Sequence, residues 1–517
     1  MTYIECLKQK KEERNFKWKQ LAEGICDKSY ITRMVQGERF PRFYMKNRIL
    51  GRAGVDITSI PCYLGNLEEE MYLSRKKIID LFKEARTWGE VEGDRFNECK
   101  KELKLYEEKY ALDDIDKQFI LDMKASMYLI EGDGDSAEGL IEDVIALSMP
   151  KLDLERIDEC ELSPIEVWYL YKMYYCKLLT HKFKNPKNDL RKIRYIIEYV
   201  DKKFEGDIRS ILYVVFVCEY AKINEYYALN DDDEVLKCVE NALDMLSKGK
   251  RMYCLSELIK IKKSFTADLD EIVSLDRFLE GIEGLKEYGY REGTLYLTAD
   301  LYLAFDPISF TNLICKRRNT MGISLEKLSE GICNKRTIQR FENGETELCK
   351  KNVDCILTRL CLPAYLDNEI SNKEKSMNSK SLLRVINVVS KANYPVETMF
   401  FTEDEISYLV NNINRINPCY TDKVQEIIEY AFIKRLIVDR SLMIKYYEWK
   451  LSYLRNDKEK LAAFSRKVLY YSLTNGMAND IKRQLVFIEY NQINDYKDYT
   501  VFRKNLQRNT VYDFYRM

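Results

Sequence analysis

Leu328-Ser329-Glu330-Gly331-Ile332-Cys333-Asn334-Lys335-Arg336-Thr337-Ile338-Gln339-Arg340-Phe341-Glu342-Asn343-Gly344-Glu345 reads as a helix, a tight turn and a second helix. The same register returns near the start of the chain as Leu21-Ala22-Glu23-Gly24-Ile25-Cys26-Asp27-Lys28-Ser29-Tyr30-Ile31-Thr32-Arg33, closing with Gly37-Glu38. The copies lie 307 positions apart, and the offset holds without a gap from Tyr3/Phe310 to Arg52/Arg359. Leu21/Leu328, Gly24/Gly331, Ile31/Ile338, Arg33/Arg340, Gly37/Gly344 and Leu50/Leu357 are identical across it. A shared helical period explains the apolar matches. It does not explain two glycine pairs and a Leu-x-Glu-Gly-Ile-Cys string in one register, so the chain carries an internal duplication.

Around this core the pattern predicts four helices in unit one, at Tyr3 to Arg14, Lys17 to Ile25, Lys28 to Gln36 and Phe43 to Arg52. In unit two Ser324 is a good N-cap for the second helix, because its hydroxyl can accept a free amide of the first turn. Gly37 and Gly344 stand where the third helix needs a left-handed cap. Pro61, Pro307 and Pro363 flank the units and mark joints, since proline ends a helix or sits in its first turn. Four domains follow from these marks: a head at 1–60, a helical body at 61–305, a second head at 306–366 and a helical tail domain at 380–517.

The chain's 517 residues hold only 9 Pro but 38 Tyr, a balance that suits a soluble, all-α protein with sizeable cores. Fifteen Cys without a Cys-x-x-Cys pair point to reduced, mostly buried thiols in a cytoplasmic protein. Lys8, Lys10 and Lys11 make the start of the chain charged, so no signal peptide is expected. Apolar runs such as Ile211 to Cys218 are too short for a membrane span. The formal net charge of −1 hides an uneven distribution: residues 1–60 carry +6, 306–365 carry +3 and 366–517 carry +5, while 61–305 carry −15. Basic duplicated units beside an acidic body suit a polyanion-binding head on a body that does not bind polyanions.

Between the heads no strand pattern stands out, and one helical motif recurs. An Asp in a polar turn is followed by apolar residues four, seven, eleven and twelve positions on: Asp133 with Ala137, Leu140, Val144 and Ile145; Asp231 with Val235, Cys238, Ala242 and Leu243; Asp457 with Leu461, Phe464, Val468 and Leu469. Each copy follows a Tyr-rich helix. Helix, polar turn and helix with one apolar stripe is the unit of an α-solenoid, and the copies resemble degenerate tetratricopeptide repeats.

The duplicated unit resembles the Xre or phage-repressor type of helix-turn-helix over about 50 residues at each site, on Ser324 to Ile332 and Lys335 to Gly344. With its shortened turn it is similar to the heads of bacterial peptide-sensing regulators, in which tetratricopeptide repeats follow the head. Two heads in one chain depart from that plan. The resemblance implies double-stranded DNA as partner, a signalling peptide or protein bound by the body, and a homodimer. The third helix would then present Lys335, Arg336, Thr337, Gln339 and Arg340 to the major groove, with Ile338 and Phe341 as its anchors. The matching residues of unit one are Lys28, Ser29, Tyr30, Thr32 and Arg33. Ser324 and Lys17 open the second helices, whose amino ends resemble the family's phosphate-contacting position. The rival reading is a helical-repeat interaction scaffold whose heads no longer touch DNA.

Other signals are weak. Gly132, Gly134 and Gly139 lack a dinucleotide loop's spacing and read as a repeat turn. Cys349, Cys355 and Cys361 do not share a helical face, and with His181 as the sole histidine, a surface residue, neither metal nor cofactor is expected. No nucleophile–base pairing suggests an enzyme. The Tyr-rich helices could line a concave ligand face, although the runs Trp168 to Tyr171 and Tyr174-Tyr175 read more simply as packing between repeat helices.

Overall fold

A computed structural model of the chain describes residues 3–36, 38, 41–55, 63–64, 66–85, 93–286, 290, 308–346, 348–362, 379–392, 395–433 and 440–474. Gly37, the joints at Pro61, Pro307 and Pro363, and residues 475–517 of the tail lie outside them. The described residues are almost entirely helical, in keeping with an all-α chain. The exception is a two-residue parallel pairing, Tyr63 with Ile308 and Leu64 with Ser309.

The chain divides into two compact units, each made of two stretches: residues 1–111 with 303–446, and 112–302 with 447–517. Both duplicated heads therefore belong to the first. In head one the helices are Tyr3–Arg14, Trp18–Ala22, Lys28–Val35 and Phe43–Arg52. The second helix stops at Ala22 instead of running to Ile25, because Gly24 adopts a left-handed φ of 71°. Leu7, Leu21, Ile31, Met34, Ile49 and Leu50 form the core of this head. Head two repeats the plan with Phe310–Thr320, Leu325–Ser329, Lys335–Glu342 and Lys350–Arg359, closing on Leu313, Leu328, Ile338, Ile356 and Leu357.

Each head is fastened to its own neighbouring helices. Glu68 accepts the Phe43 amide at 2.6 Å, and the buried Arg75 guanidinium lies 3.6 Å from the centre of the Tyr44 ring. Beside head two, Arg317 forms a bidentate pair with Glu405 at 2.7 and 2.8 Å, both side chains buried.

In the second unit most long helices pack on their neighbours in sequence, from Asp114–Glu131 and Gly134–Ser148 to Leu255–Phe265 and Leu269–Lys286; Pro164–Thr180 packs on Gly134–Ser148 and, past Pro186–Lys203, on Gly206–Tyr227. The recurring Asp opens the second helix of a pair. Asp133 accepts the Ser136 amide at 3.0 Å and Asp457 the Lys460 amide at 3.1 Å. Asp231 instead accepts the Tyr220 hydroxyl, while its own amide donates to Asn224 at 3.0 Å. The stripe after Asp231 is buried as expected, and so is the one after Asp457. After Asp133 the buried face runs Ala137, Ile141, Val144, Ser148, with Leu140 and Ile145 at its flanks.

Candidate nucleic-acid interface

The third helix of head two has an amphipathic division imposed by its residues. Ile338 and Phe341, three apart, are buried, and the Phe341 ring meets Phe310 edge-on at 5.8 Å between centroids. Lys335, Arg336, Gln339 and Arg340 are exposed. The helix starts at Asn334, whose side chain accepts both the Thr337 amide at 2.8 Å and the Thr337 hydroxyl at 2.9 Å. Thr337, half-buried, thus serves the cap. Ser324 caps the preceding helix by accepting the Lys327 amide at 3.2 Å. Between the two helices Gly331 takes φ 69°, in open space, so the left-handed backbone is what requires glycine there.

The exposed cations of this helix differ in their surroundings. Lys335 pairs with Glu326, and Arg340 pairs with Glu345 at 3.3 Å. Lys335 holds the Glu326 carboxyl down at about 2. Arg336 and Gln339 have no partner among the described residues. Below them Arg318 of the first helix grips Glu342 through two hydrogen bonds, at 2.7 and 2.8 Å, and fixes the end of the third helix.

Head one keeps the frame and changes the charges. Ile31 and Met34 are buried, while Lys28, Ser29 and Arg33 are exposed and Tyr30 and Thr32 half-buried. The Thr32 hydroxyl donates to the Lys28 carbonyl at 3.1 Å. Lys28, Ser29, Thr32 and Arg33, with Gln36 and Glu38, line an open hollow of about 360 Å³; Tyr30 is not among them. Lys17 sits exposed before the second helix, its amide bound to the Gln20 side chain at 2.7 Å. Where head two has Arg318 and Glu342, head one has Lys11 and Val35, and Lys11 lies over the Trp18 ring at 5.5 Å instead. Lys19 and Gln36 were not singled out from the sequence. The 307-residue alignment could have marked Lys19, because it stands opposite Glu326.

In the helical body the aromatic runs pack inward: Trp168, Tyr169, Tyr171 and Tyr174 are buried in the main core. These runs thus pack between repeat helices, as read from the sequence; in the Tyr-rich helices that precede the recurring Asp, Tyr128, Tyr226 and Tyr453 reach the surface. His181 is exposed, as expected, and stacks on Tyr226 at 4.6 Å. The expectation of buried thiols holds for Cys99, Cys176, Cys218, Cys238 and Cys254 but fails for Cys349, Cys355 and Cys419. The helix that follows Cys349 turns Val353, Ile356 and Leu357 to the core, which leaves Cys355 on the outer side.

One cluster had no local signal in the sequence. Cys218, Cys254 and Glu257 bring their ligand atoms within 4.8 Å of one another. The Lys222 ammonium already occupies the cation's place, 2.6 Å from Glu257 and 3.0 Å from Glu219. Among the described residues no helix is long and apolar enough to cross a membrane. No family model, curated protein or solved structure matches this chain.

Proposed function

We propose that the chain is a sequence-specific DNA-binding transcriptional regulator with two helix-turn-helix heads and a tetratricopeptide-like body. The body receives a peptide or protein partner, and the protein works in the cytoplasm, as a homodimer if it follows the regulators it resembles. One observation carries the reading. The third helix of each head buries two apolar side chains and turns polar ones outward: Lys28, Ser29 and Arg33 in head one, and Lys335, Arg336, Gln339 and Arg340 in head two. An α-helix with such a face fits the major groove, where Arg reads guanine and Gln reads adenine.

Selection by the full chain from a pool of random-sequence duplexes tests this. Enrichment of a defined motif is expected, with an affinity that falls linearly in log–log form as salt rises. Retention of no duplex even at low salt would overturn the reading. The pre-formed pairs Lys335–Glu326 and Arg340–Glu345 favour a second reading, a helical-repeat interaction scaffold whose heads no longer bind DNA, and in that case no motif emerges.

A further inference from the structure

The two heads share a backbone plan but not a charge plan. At position 326 head two carries Glu, and at the equivalent position 19 head one carries Lys. The exchange reverses the charge in the first turn of the second helix. In head two Glu326 neutralises Lys335, and Glu345 neutralises Arg340. In head one Lys17, Lys19, Lys28 and Arg33 are all exposed, and none forms an ion pair among the described residues. Glu38 matches Glu345 in the alignment, yet Arg33 is not paired with it. Lys28, Arg33 and Glu38 line the same open hollow.

An exposed ion pair contributes little to stability. It does, however, cancel the field that draws in phosphate, and the salt dependence of duplex binding counts cations that neutralise phosphates. We infer that head one, through Lys17, Lys19, Lys28 and Arg33, supplies the larger share of the sequence-independent, salt-sensitive grip on the DNA backbone, while head two, with Lys335 and Arg340 neutralised, adds a smaller share through Lys327 and Arg336. The inference rests on the DNA-binding reading above and divides the labour within it.

Its test needs no operator, because backbone contacts are read on any sequence. The full-length chain is titrated against a random-sequence duplex pool over a salt series, alongside the reciprocal variants Lys19→Glu and Glu326→Lys. Both positions are exposed, and circular dichroism checks that the helices persist. Lys19→Glu is expected to weaken binding by about tenfold or more at low salt and to flatten the salt slope by about one or two. Glu326→Lys is expected to tighten binding and steepen the slope by about one. Arg33→Ala should flatten it by about one, and Arg340→Ala by much less. A steep parental slope that survives Lys19→Glu and Arg33→Ala but collapses in Lys335→Ala or Arg340→Ala would overturn the inference and leave the DNA-binding reading standing. A parental chain that retains no duplex would overturn both.

Discussion

Arg52 and Arg359, 307 residues apart, make the same contact in the two heads. Arg52 donates to the Leu21 and Glu23 carbonyls at 3.0 and 2.6 Å, and Arg359 to the Leu328 and Glu330 carbonyls at 2.8 and 2.7 Å. All three positions are equivalent under the offset. The duplication read in the sequence is therefore repeated in a tertiary contact. The reason is physical: the last carbonyls of a short helix have no partner within it, and a cation at that end suits their charge.

This contact gives the first prediction. Arg52→Met should cost about 2–3 kcal/mol locally, because Arg52 is buried and the buried Leu21 carbonyl loses its charged donor. Arg359→Met should cost less, since Arg359 is half-exposed. Hydrogen exchange of the Ile25 and Cys26 amides, both bonded to the Ala22 carbonyl at 2.9 Å, reads the loss in head one. Unchanged exchange in Arg52→Met would refute the role.

A second prediction concerns the buried pair beside head two. Glu405 accepts from Arg317 and also from the Thr402 amide at 3.0 Å, so one carboxylate ties two segments together. Glu405→Ala should cost about 3–5 kcal/mol by leaving the Arg317 guanidinium buried without its counter-charge. The double variant Arg317→Met, Glu405→Leu should recover most of that loss. Urea unfolding of the three proteins measures it, and a double variant as unstable as the single one would sink the argument.

What the sequence made legible was local. Tyr3–Arg14 and Phe43–Arg52 match their expected helices residue for residue, and Ile338 and Phe341 are buried, as the helix-turn-helix resemblance implies. The Tyr63–Leu64 and Ile308–Ser309 pairing was not legible, because two residues carry no period. Arg317 and Glu405 are 88 positions apart, and nothing near either residue announces the other. The self-neutralised face of head two was hidden for a related reason. Lys335 and Arg340 read as available donors until the fold brings Glu326 and Glu345 against them.

Ala228 gives a third prediction. It ends Gly206–Tyr227 in a left-handed conformation, φ 47°, with its amide bonded to Glu225 at 3.2 Å and the Leu229 amide to Asn224 at 3.1 Å. Gly132 holds the equivalent left-handed cap after Asp114–Glu131 without a side chain to strain. Ala228→Gly should stabilise the second unit by about 1 kcal/mol. A lower thermal midpoint in the variant would count against this.

Glu219 gives a pH dependence. It is fully buried, one oxygen faces Lys222, and the other has no hydrogen-bond partner among the described residues. Burial raises its carboxyl above the ordinary 4.5, against the pull of Lys222 and with added repulsion from Glu257. The folded chain thus keeps this proton to higher pH than the unfolded chain does. The stability it contributes is full below 4.5 and is lost as pH rises through the folded value. Glu219→Gln should match the parent in acid, exceed its thermal midpoint at neutral pH, and show a flatter profile between. Parallel profiles for parent and variant would show that Glu219 is not the titrating group.

The last prediction returns to the third helix of head two. Its two exposed side chains without a partner, Arg336 and Gln339, are three apart and so lie on one face of the helix. If that face enters the groove, replacing either with Ala should cost about 1–3 kcal/mol of specific binding and relax the preference at one position of the selected motif. Lys335 is engaged by Glu326, so Lys335→Ala should weaken every sequence alike, and only slightly. Neither Arg336 nor Gln339 contributes to the core, which keeps folding out of the comparison. The measurement is the affinity of the Arg336→Ala, Gln339→Ala double variant for the selected motif against a scrambled duplex. A large drop for the motif with little change for the scrambled duplex is the expected result. Equal affinity of parent and double variant for the motif would move base reading to head one, where Ser29 and Thr32 stand at the matching positions.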